Sequence, residues 1–508
     1  MLRTRNLYYL QRRLKGRKQH WSVQHYKKTI TDRALENFDD FYGSVFGLRW
    51  KSIRAALLSE HKYVALVNNF GDTEKTCSLL EMDGAINLKS LVQLAKERLE
   101  GTEQTLAPNT SHKLGDLLEK IIRKKEDIEK ENIYPEPTGD FNIPEKLQYR
   151  NDDAGVLENE KPSENLTNNS NYVDPKKSLG KVLEEDVEID YSRFVDPEKS
   201  TGALYEYMPA TRIKGKEDWI PESDHYKYYQ TTRDFPLNIE LEKDFVYPEN
   251  LCLYTYEMGN CSDFKSPKKC LTGVLSHYLM DGASILPPLF LDVKLGERVL
   301  DACAAPGGKS LLMLQTLHPE TIVCNDIQES RLNRVRKVMQ EYLFDYRERW
   351  EGKRLILHQS DARNISGFAS FDKILVDVPC TTDRHSLMEN DNNIFKPSRI
   401  KERLRLPELQ ADILTNCLRL LKPGGSLVYS TCSLSPVQND GVVHMALQKA
   451  FNDYSITATI KDLSLLIKLF NDIYKFEYPE GLKYGQMVVP YLPANFGPMY
   501  FCKIRRDT

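Results

Sequence analysis

The first 31 positions of this 508-residue chain contain no aspartate or glutamate. Paired cysteines are missing as well. The ten cysteines lie singly, with no Cys-x-x-Cys and no Cys/His zinc spacing. This excludes zinc ribbons and thioredoxin-type motifs, and no metal site is expected. Scattered single cysteines fit free thiols in a reducing compartment, where the sequons at Asn109, Asn165 and Asn364 are chance matches. No apolar run approaches the roughly 18 residues of a transmembrane helix, so none is expected. A large net charge is absent too. At −3, any contact with nucleic acid has to come from local basic patches. Neither Gly-x-Gly-x-x-Gly nor the P-loop spacing occurs, which excludes those two ways of holding phosphates.

What is present changes along the chain. The acid-free start carries Arg3, Arg5, Arg12, Arg13, Lys15, Arg17, Lys18, Lys27 and Lys28, with Leu7, Leu10 and Leu14 on one helical face. Residues 1–31 therefore read as a mitochondrial transit peptide, with a basic RNA-binding arm as the alternative. Residues 32–100 read as helices. Asp32 is the expected cap of the first, Leu35, Phe38, Phe41 and Tyr42 form one face, and Ile53, Leu57 and Leu58 another. Arg49, Lys51 and Arg54 mixed with Trp50 and Tyr63 fit either an RNA surface or a helix packed on the core. Residues 101–245 are polar and interrupted by Pro137, Pro144, Pro162, Pro175 and Pro197, which predicts a largely disordered insert. Within it a helix is expected over 113–130, and Tyr205, Tyr207, Trp219 and Tyr226 are candidate anchors.

From about 246 to 508, strand and helix signals alternate. Strands are expected at Val299–Asp301, Thr321–Asn325, Leu355–Gln359, Lys373–Val378 and Ser426–Ser430, with a late one over 497–504. Helices are expected over 328–342, 400–421 and 436–451, the second stopping at Lys422-Pro423-Gly424-Gly425. This rhythm predicts an α/β fold, a doubly wound, mainly parallel sheet with helices on both faces. Ligands of such sheets bind beyond the carboxyl ends of the strands. The first strand leads into Asp301-Ala302-Cys303-Ala304-Ala305-Pro306-Gly307-Gly308-Lys309. Its glycines let backbone approach a ligand at a helix N-terminus. Asp326 and Asp361 follow the second and third strands, placed for ribose hydroxyls and an adenine edge. Asp377-Val378-Pro379-Cys380 ends the fourth strand and Ser430-Thr431-Cys432-Ser433 the fifth. Acids and thiols at consecutive strand ends are hard to attribute to helix capping. Cys324 and Cys417 read instead as small core residues.

The set Asp301–Lys309, Asp377–Cys380 and Ser430–Ser433 resembles the Sun-domain (Fmu-like) family of RNA cytosine C5-methyltransferases over about 270–508. Tyr278–Asp281, Asp377–Leu387, Asn392–Phe395 and Ala494–Tyr500 resemble more narrowly the family's mitochondrial ribosomal-RNA branch. Leu57–Glu60 and Val67–Phe70 extend that likeness towards the N-terminus, while the 101–245 insert departs from it in length.

The resemblance implies a Rossmann-like class I methyltransferase using S-adenosyl-L-methionine. It implies Cys432 as nucleophile at cytosine C6, Cys380 as the residue that assists release, Asp377 on the base's N3/N4 edge and Lys309 beside it. DNA C5 enzymes attack with a Pro-Cys cysteine, so the residues alone leave the two thiols interchangeable. The implied cofactor and base pocket comprises Cys303, Ala304, Gly307, Gly308, Lys309, Asp326, Arg331, Asp361, Ala362 and Asp377. An electropositive site is expected to depress the attacking thiol's pKa. Arg384, His385, Lys396, Arg399, Lys401, Arg403 and Arg405 are candidate phosphate contacts, with a solvated helix face as the alternative.

The implied activity is cytosine-5 methylation of small-subunit ribosomal RNA in the mitochondrial matrix, coupled to ribosome assembly. The alternatives are an assembly factor whose binding outweighs methylation and a mitochondrial tRNA methyltransferase. The implied partner is a helical-repeat protein of the mitochondrial transcription-termination-factor family.

Overall fold

The computed structural model describes residues 28–104, 235–477 and 482–508. Nearly all of the expected leader, the helix expected at 113–130, and Tyr205, Tyr207, Trp219 and Tyr226 lie outside the described residues. The chain divides into two units, Met1–Leu99 with Gly202–Thr508, and Glu100–Thr201. Apart from the last turn of one helix, every element described belongs to the first.

Helix α1, Ile30–Phe46, opens on a capping box. Thr29 Oγ1 accepts the Asp32 N–H, and the Asp32 carboxylate accepts the Thr29 N–H, each at 3.1 Å. Asp32 is thus the third residue of the helix and Thr29 its cap, a Thr-x-x-acid signal that corrects the assignment of the cap to Asp32. Phe38, Tyr42 and Phe46 are buried, and Leu35 and Phe41 pack at the margin. In α2, Trp50–Leu57, the buried positions are Trp50, Ile53, Ala56 and Leu57. The indole N–H of Trp50 and the Arg54 Nε–H both donate to Asp39, at 2.9 and 2.7 Å. Trp50 is therefore core and Arg54 is paired with Asp39, as a helix packed on the core requires, while Arg49, Lys51 and Tyr63 are exposed.

The all-helical expectation for this region fails at β1, Tyr63–Val67. Four consecutive buried residues, two of them β-branched, are too short a run for a helix and fit a strand covered on both sides. After α3 (Thr73–Met82) come β2 (Ile86–Asn87) and α4 (Leu88–Gln104). Then β3 (Asn238–Leu241), β4 (Leu253–Thr255) and β5 (His277–Asp281) follow. A four-stranded sheet runs β2-β4-β1-β5, so the N-terminal segment shares a sheet with the strands that precede the glycine turn.

The larger, nine-stranded sheet begins with α5 (Leu286–Leu291) and β6 (Arg298–Asp301). It continues through α6 (Gly308–Gln315), β7 (Thr321–Asp326), α7 (Glu329–Tyr342), β8 (Leu355–Gln359) and β9 (Phe371–Asp377). Helices α8 (Asp383–Met388), α9 (Ile400–Leu404) and α10 (Leu406–Leu420) lead to β10 (Leu421–Thr431) and α11 (Asp440–Tyr454). The chain closes with β11 (Ala458–Asp462), β12 (Gln486–Val488) and β13 (Met499–Arg506). The order is β3-β11-β13-β10-β9-β6-β7-β8, with β12 on β13. Strands β10, β9, β6, β7 and β8 are mutually parallel, and β13 runs antiparallel to β10. This is the expected doubly wound, mainly parallel sheet. Strand β3 joins it earlier in the chain than the boundary expected at 246.

Alternate residues of one strand enter different cores, as period-two geometry requires. Leu300, Ile374, Val376, Leu427 and Tyr429 pack against α1, α2, α10 and α11. Val299, Leu375 and Val428 pack against α5, α6 and α7.

Two expected helices are corrected. The one over 400–421 breaks at Arg405, with Pro407 near the start of α10. Lys422–Gly425 is a bulge where register shifts between Leu421 and Ser426, already inside β10. The helix expected from Pro436 starts at Asp440, after a turn in which the Gln438 N–H donates to Ser435.

Arg384 is also corrected as a phosphate contact. Its guanidinium donates to the carbonyls of Gly497, Ala56 and Ser59 at 2.8, 3.0 and 2.9 Å, and to Asn495 Oδ1 at 2.8 Å. It adds a charged donor to the Ala56 carbonyl at the end of α2, which also accepts the Ser59 N–H and the Asn495 amide, and to the Ser59 carbonyl just beyond the helix. Arg384→Ala should lower the unfolding free energy by about 3 kcal/mol, because these acceptors lose a charged donor. Urea denaturation of the full chain measures this, and an unchanged midpoint would contradict the role.

Candidate active site

The glycine turn is stitched to its neighbours through backbone. The Ala302 N–H donates to Leu375 at 2.9 Å and the Ala304 N–H to Asn325 at 2.8 Å, tying the turn to β9 and β7. Gly307 has φ +113°, a conformation L side chains rarely adopt, and it precedes α6. A Cβ on Gly308 would lie 2.9 Å from the Tyr278 ring of β5. The first N–H groups of α6 have no acceptor within the helix and suit a negative group. Asp301 is buried beneath the turn. Its Oδ2 accepts the Ser310 hydroxyl at 2.5 Å, while its Oδ1 has no partner among the described residues. Burial pushes this carboxyl up to about 7.

Two acids lie beyond β7 and β8. Asp326 accepts Arg331 Nε at 3.0 Å on each oxygen and the Gln328 N–H at 3.2 Å. Asp361 pairs with Arg363 at 2.6 Å, and that hydrogen bond holds it below the usual carboxylate range. Ala362 is buried, and its carbonyl accepts the Asn416 amide at 2.8 Å. A residue not singled out in the sequence, Asn325, fastens these loops together. Its amide donates to Ala302 at 2.9 Å and Ser360 at 3.0 Å, and its Oδ1 lies 2.9 Å from His358 Nδ1. Cys303 is half-buried within the turn, and burial raises its thiol.

The reactive groups sit at the ends of β9 and β10. Asp377 accepts Lys309 Nζ at 2.6 Å on one oxygen and the Ser430 hydroxyl at 2.8 Å on the other. Burial alone would lower the Lys309 ammonium, but the Asp377 charge reverses this and the net direction is up. Cys380 is buried and Cys432 half-buried, with their sulfurs 3.0 Å apart. The Thr382 N–H lies 3.4 Å from the Cys380 sulfur. The Cys432 thiol is raised well above its ordinary value by its hydrogen bond with Cys380, by burial, and by the nearby Cys380 and Asp377 charges, while Lys309 lowers it. The expected electropositive setting is therefore not met in this state: the Cys380 hydrogen bond and burial raise the thiol most, and Asp377 pairs with the Lys309 ammonium that would lower it.

Cys324 and Cys417 are fully buried and their thiols raised by burial, as expected of core residues. Of the basic residues after the Pro-Cys motif, Arg399 pairs with Glu402 at 2.6 Å and Arg403 lies over Phe395. Lys401 and Arg405 are exposed.

Two thiols, an ammonium–carboxylate pair and a side-chain-free turn thus converge on neighbouring strand ends. Chemically, such a set can supply a nucleophile, a second sulfur to exchange a proton, and a polar pair to grip a heterocycle.

Residues 288–474 match the family described as 16S rRNA methyltransferase RsmB/F. The chain is 33% identical to 5-cytosine rRNA methyltransferase nsun-4 of Caenorhabditis elegans, over 94% of this chain and 92% of that protein. It is 32% identical to 5-cytosine rRNA methyltransferase NSUN4 of Xenopus tropicalis, over 96% and 94%. It is also 33% identical to a mitochondrial tRNA (cytosine(34)-C(5))-methyltransferase of Mus musculus, over 51% of this chain and 72% of that protein.

Proposed function

This chain belongs to the RsmB/F family of S-adenosylmethionine-dependent RNA cytosine-5 methyltransferases, and on that premise we propose that it methylates a cytosine of mitochondrial small-subunit ribosomal RNA. The observation that carries the reading is the pair of sulfurs 3.0 Å apart beside the Lys309–Asp377 pair. The residues present suit the methyl donor. Gly307 and Gly308 leave room for close backbone approach, and Asp326, braced by Arg331, offers a carboxylate for ribose hydroxyls. Asp361, Ala362, Cys303 and Ala304 complete the proposed pocket. When bound, S-adenosylmethionine supplies an electrophilic methyl group.

The chain's own side chains do the rest. Cytosine C5 is a weak nucleophile until a thiolate adds at C6 and places electron density on it. Cys432 is that thiolate. Asp377 takes the N3/N4 edge of the base, and as it turns from Lys309 the freed ammonium favours the ionised sulfur. A base then takes the C5 proton, the C–H electron pair restores the C5–C6 double bond, and Cys432 leaves C6 as thiolate, a departure that Cys380 assists. The target base has to be unpaired or flipped to reach the site.

Ribosomal RNA is favoured because the relatives matched along more than nine-tenths of this chain carry that activity in their names. The transfer-RNA reading rests on a relative that matches about half of it. The mitochondrial matrix as location, 1–31 as leader, 32–100 as N-terminal region, an insert after it, and a catalytic region that takes in β3 and runs to 508 belong to the same proposal. So does a partner of the transcription-termination-factor family, which affinity purification from mitochondria tests. Bisulfite sequencing of mitochondrial RNA after depletion of the protein tests the substrate. The proposal expects loss of a small-subunit ribosomal site. Loss of a tRNA site would replace it with the transfer-RNA reading, and no loss with an assembly role.

A further inference from the structure

Asp383 begins α8 and is fully buried. Its Oδ2 accepts the Leu434 N–H at 2.7 Å and the Tyr42 hydroxyl at 2.7 Å, and lies 3.4 Å from the Ser433 hydroxyl. Its Oδ1 accepts the Thr381 hydroxyl at 2.5 Å. Its own N–H donates to the Cys432 carbonyl at 3.3 Å. One residue therefore grips the loop that leaves Cys432 at two points, the carbonyl of Cys432 itself and the amide two residues later. The same carboxylate holds Thr381, next to Cys380. Thr381 Oγ1 lies 2.8 Å from Ser433 Oγ, and the Gln438 side chain bonds both the backbone and the hydroxyl of Thr381.

Tyr42 comes from α1, which precedes the stretch matched to the family. It stacks on Phe38 and packs against Trp50, so its hydroxyl is delivered by a rigid apolar surround. Burial disfavours the charge on Asp383, and the bonds from Leu434, Thr381, Tyr42 and Ser433 oppose it. Hydrogen bonds to a buried carboxylate are strong, and losing one leaves a costly unpaired group.

We propose that Asp383, steadied by Tyr42, is a positioning residue that sets the placement of the Cys432 sulfur against Cys380 and the substrate base. The inference rests on the reading of Cys432 as nucleophile. The two sulfurs sit on separate loops after β9 and β10, and Asp383 bonds to a residue of each loop, Thr381 beside Cys380 and the Cys432 backbone. A misplacement of about 1 Å at a reacting atom slows a step about 100-fold without weakening binding.

The test uses the full chain carrying Cys380→Ala, in which the RNA adduct accumulates. Total mitochondrial RNA and S-adenosylmethionine are added, and single-turnover adduct formation is followed on denaturing gels. Adding Asp383→Asn should slow formation about 100-fold and adding Tyr42→Phe about 10-fold, with RNA and S-adenosylmethionine affinities within about threefold. Tyr42→Phe removes one hydroxyl from a buried ring, so it keeps the test decisive should Asp383→Asn fold poorly. Unchanged formation rates in folded Tyr42→Phe protein would overturn the positioning role, as would slower formation traced wholly to weaker RNA binding. If the Cys380→Ala parent itself forms no adduct, the nucleophile assignment fails and this inference with it.

Discussion

Cys432→Ser should abolish methyl transfer, by more than about 10³-fold, and form no covalent complex, whereas Cys380→Ser should accumulate a protein–RNA adduct. The opposite outcomes follow from the opposite duties of two sulfurs 3.0 Å apart. Without Cys432 nothing adds to C6, and C5 stays too electron-poor to take the methyl group. Without Cys380 the addition still happens, but the departure of Cys432 from C6 is no longer assisted. Denaturing gels with labelled RNA distinguish the variants, and adducts that survive Cys432→Ser but not Cys380→Ser would exchange the roles.

The same pair makes a pH prediction. The hydrogen bond with Cys380 is the largest cause raising the Cys432 thiol. Below its pKa the thiolate fraction rises tenfold per pH unit, so alkylation of Cys432 by iodoacetamide should climb through the usual thiol range without levelling. In Cys380→Ser that cause is weakened and in Cys380→Ala removed. The profile of Cys380→Ala should therefore shift to lower pH, and an unshifted profile would show that burial alone sets the thiol.

Asp377→Asn lowers kcat/KM for methylation by about 10²–10³-fold while making Cys432 easier to alkylate. Asp377 accepts Lys309 at 2.6 Å and Ser430 at 2.8 Å, so it anchors the polar side of the site. Its charge raises the Cys432 thiol and keeps Lys309 protonated against burial. Removing the charge relieves the sulfur and lets burial pull the lysine pKa down. Activity that depends on the ammonium should then fall as pH rises, at a lower pH than in the parent. A variant in which thiol reactivity and methylation move in the same direction would contradict this division of labour. The measurement pairs iodoacetamide rates with single-turnover methylation across pH.

The legible part of this protein is local. The strand ends carrying Asp301, Asp326, Asp377 and Cys432 were readable because each follows a short apolar run buried on both faces. β1 was missed because five residues between helices carry no period of their own, and its strand character depends on pairing with β4 and β5. Asn325 and Asp383 were missed for a related reason. A polar residue next to a motif looks the same in sequence whether it is solvated or buried.

The positions of the five parallel strands along the chain, the glycine turn and the acids and thiols at the strand ends are written in neighbouring residues, since turn chemistry and burial pattern act over a few positions. The closeness of the two sulfurs, the pairing of Lys309 with Asp377 and the burial of Arg384 were decided only when distant segments packed. Tyr42 meets Asp383 across 341 positions, and no short-range rule reaches that far. Whether a charged group becomes a phosphate contact or an internal brace depends on which backbone carbonyls the fold turns towards it, as Arg384 shows at the end of α2.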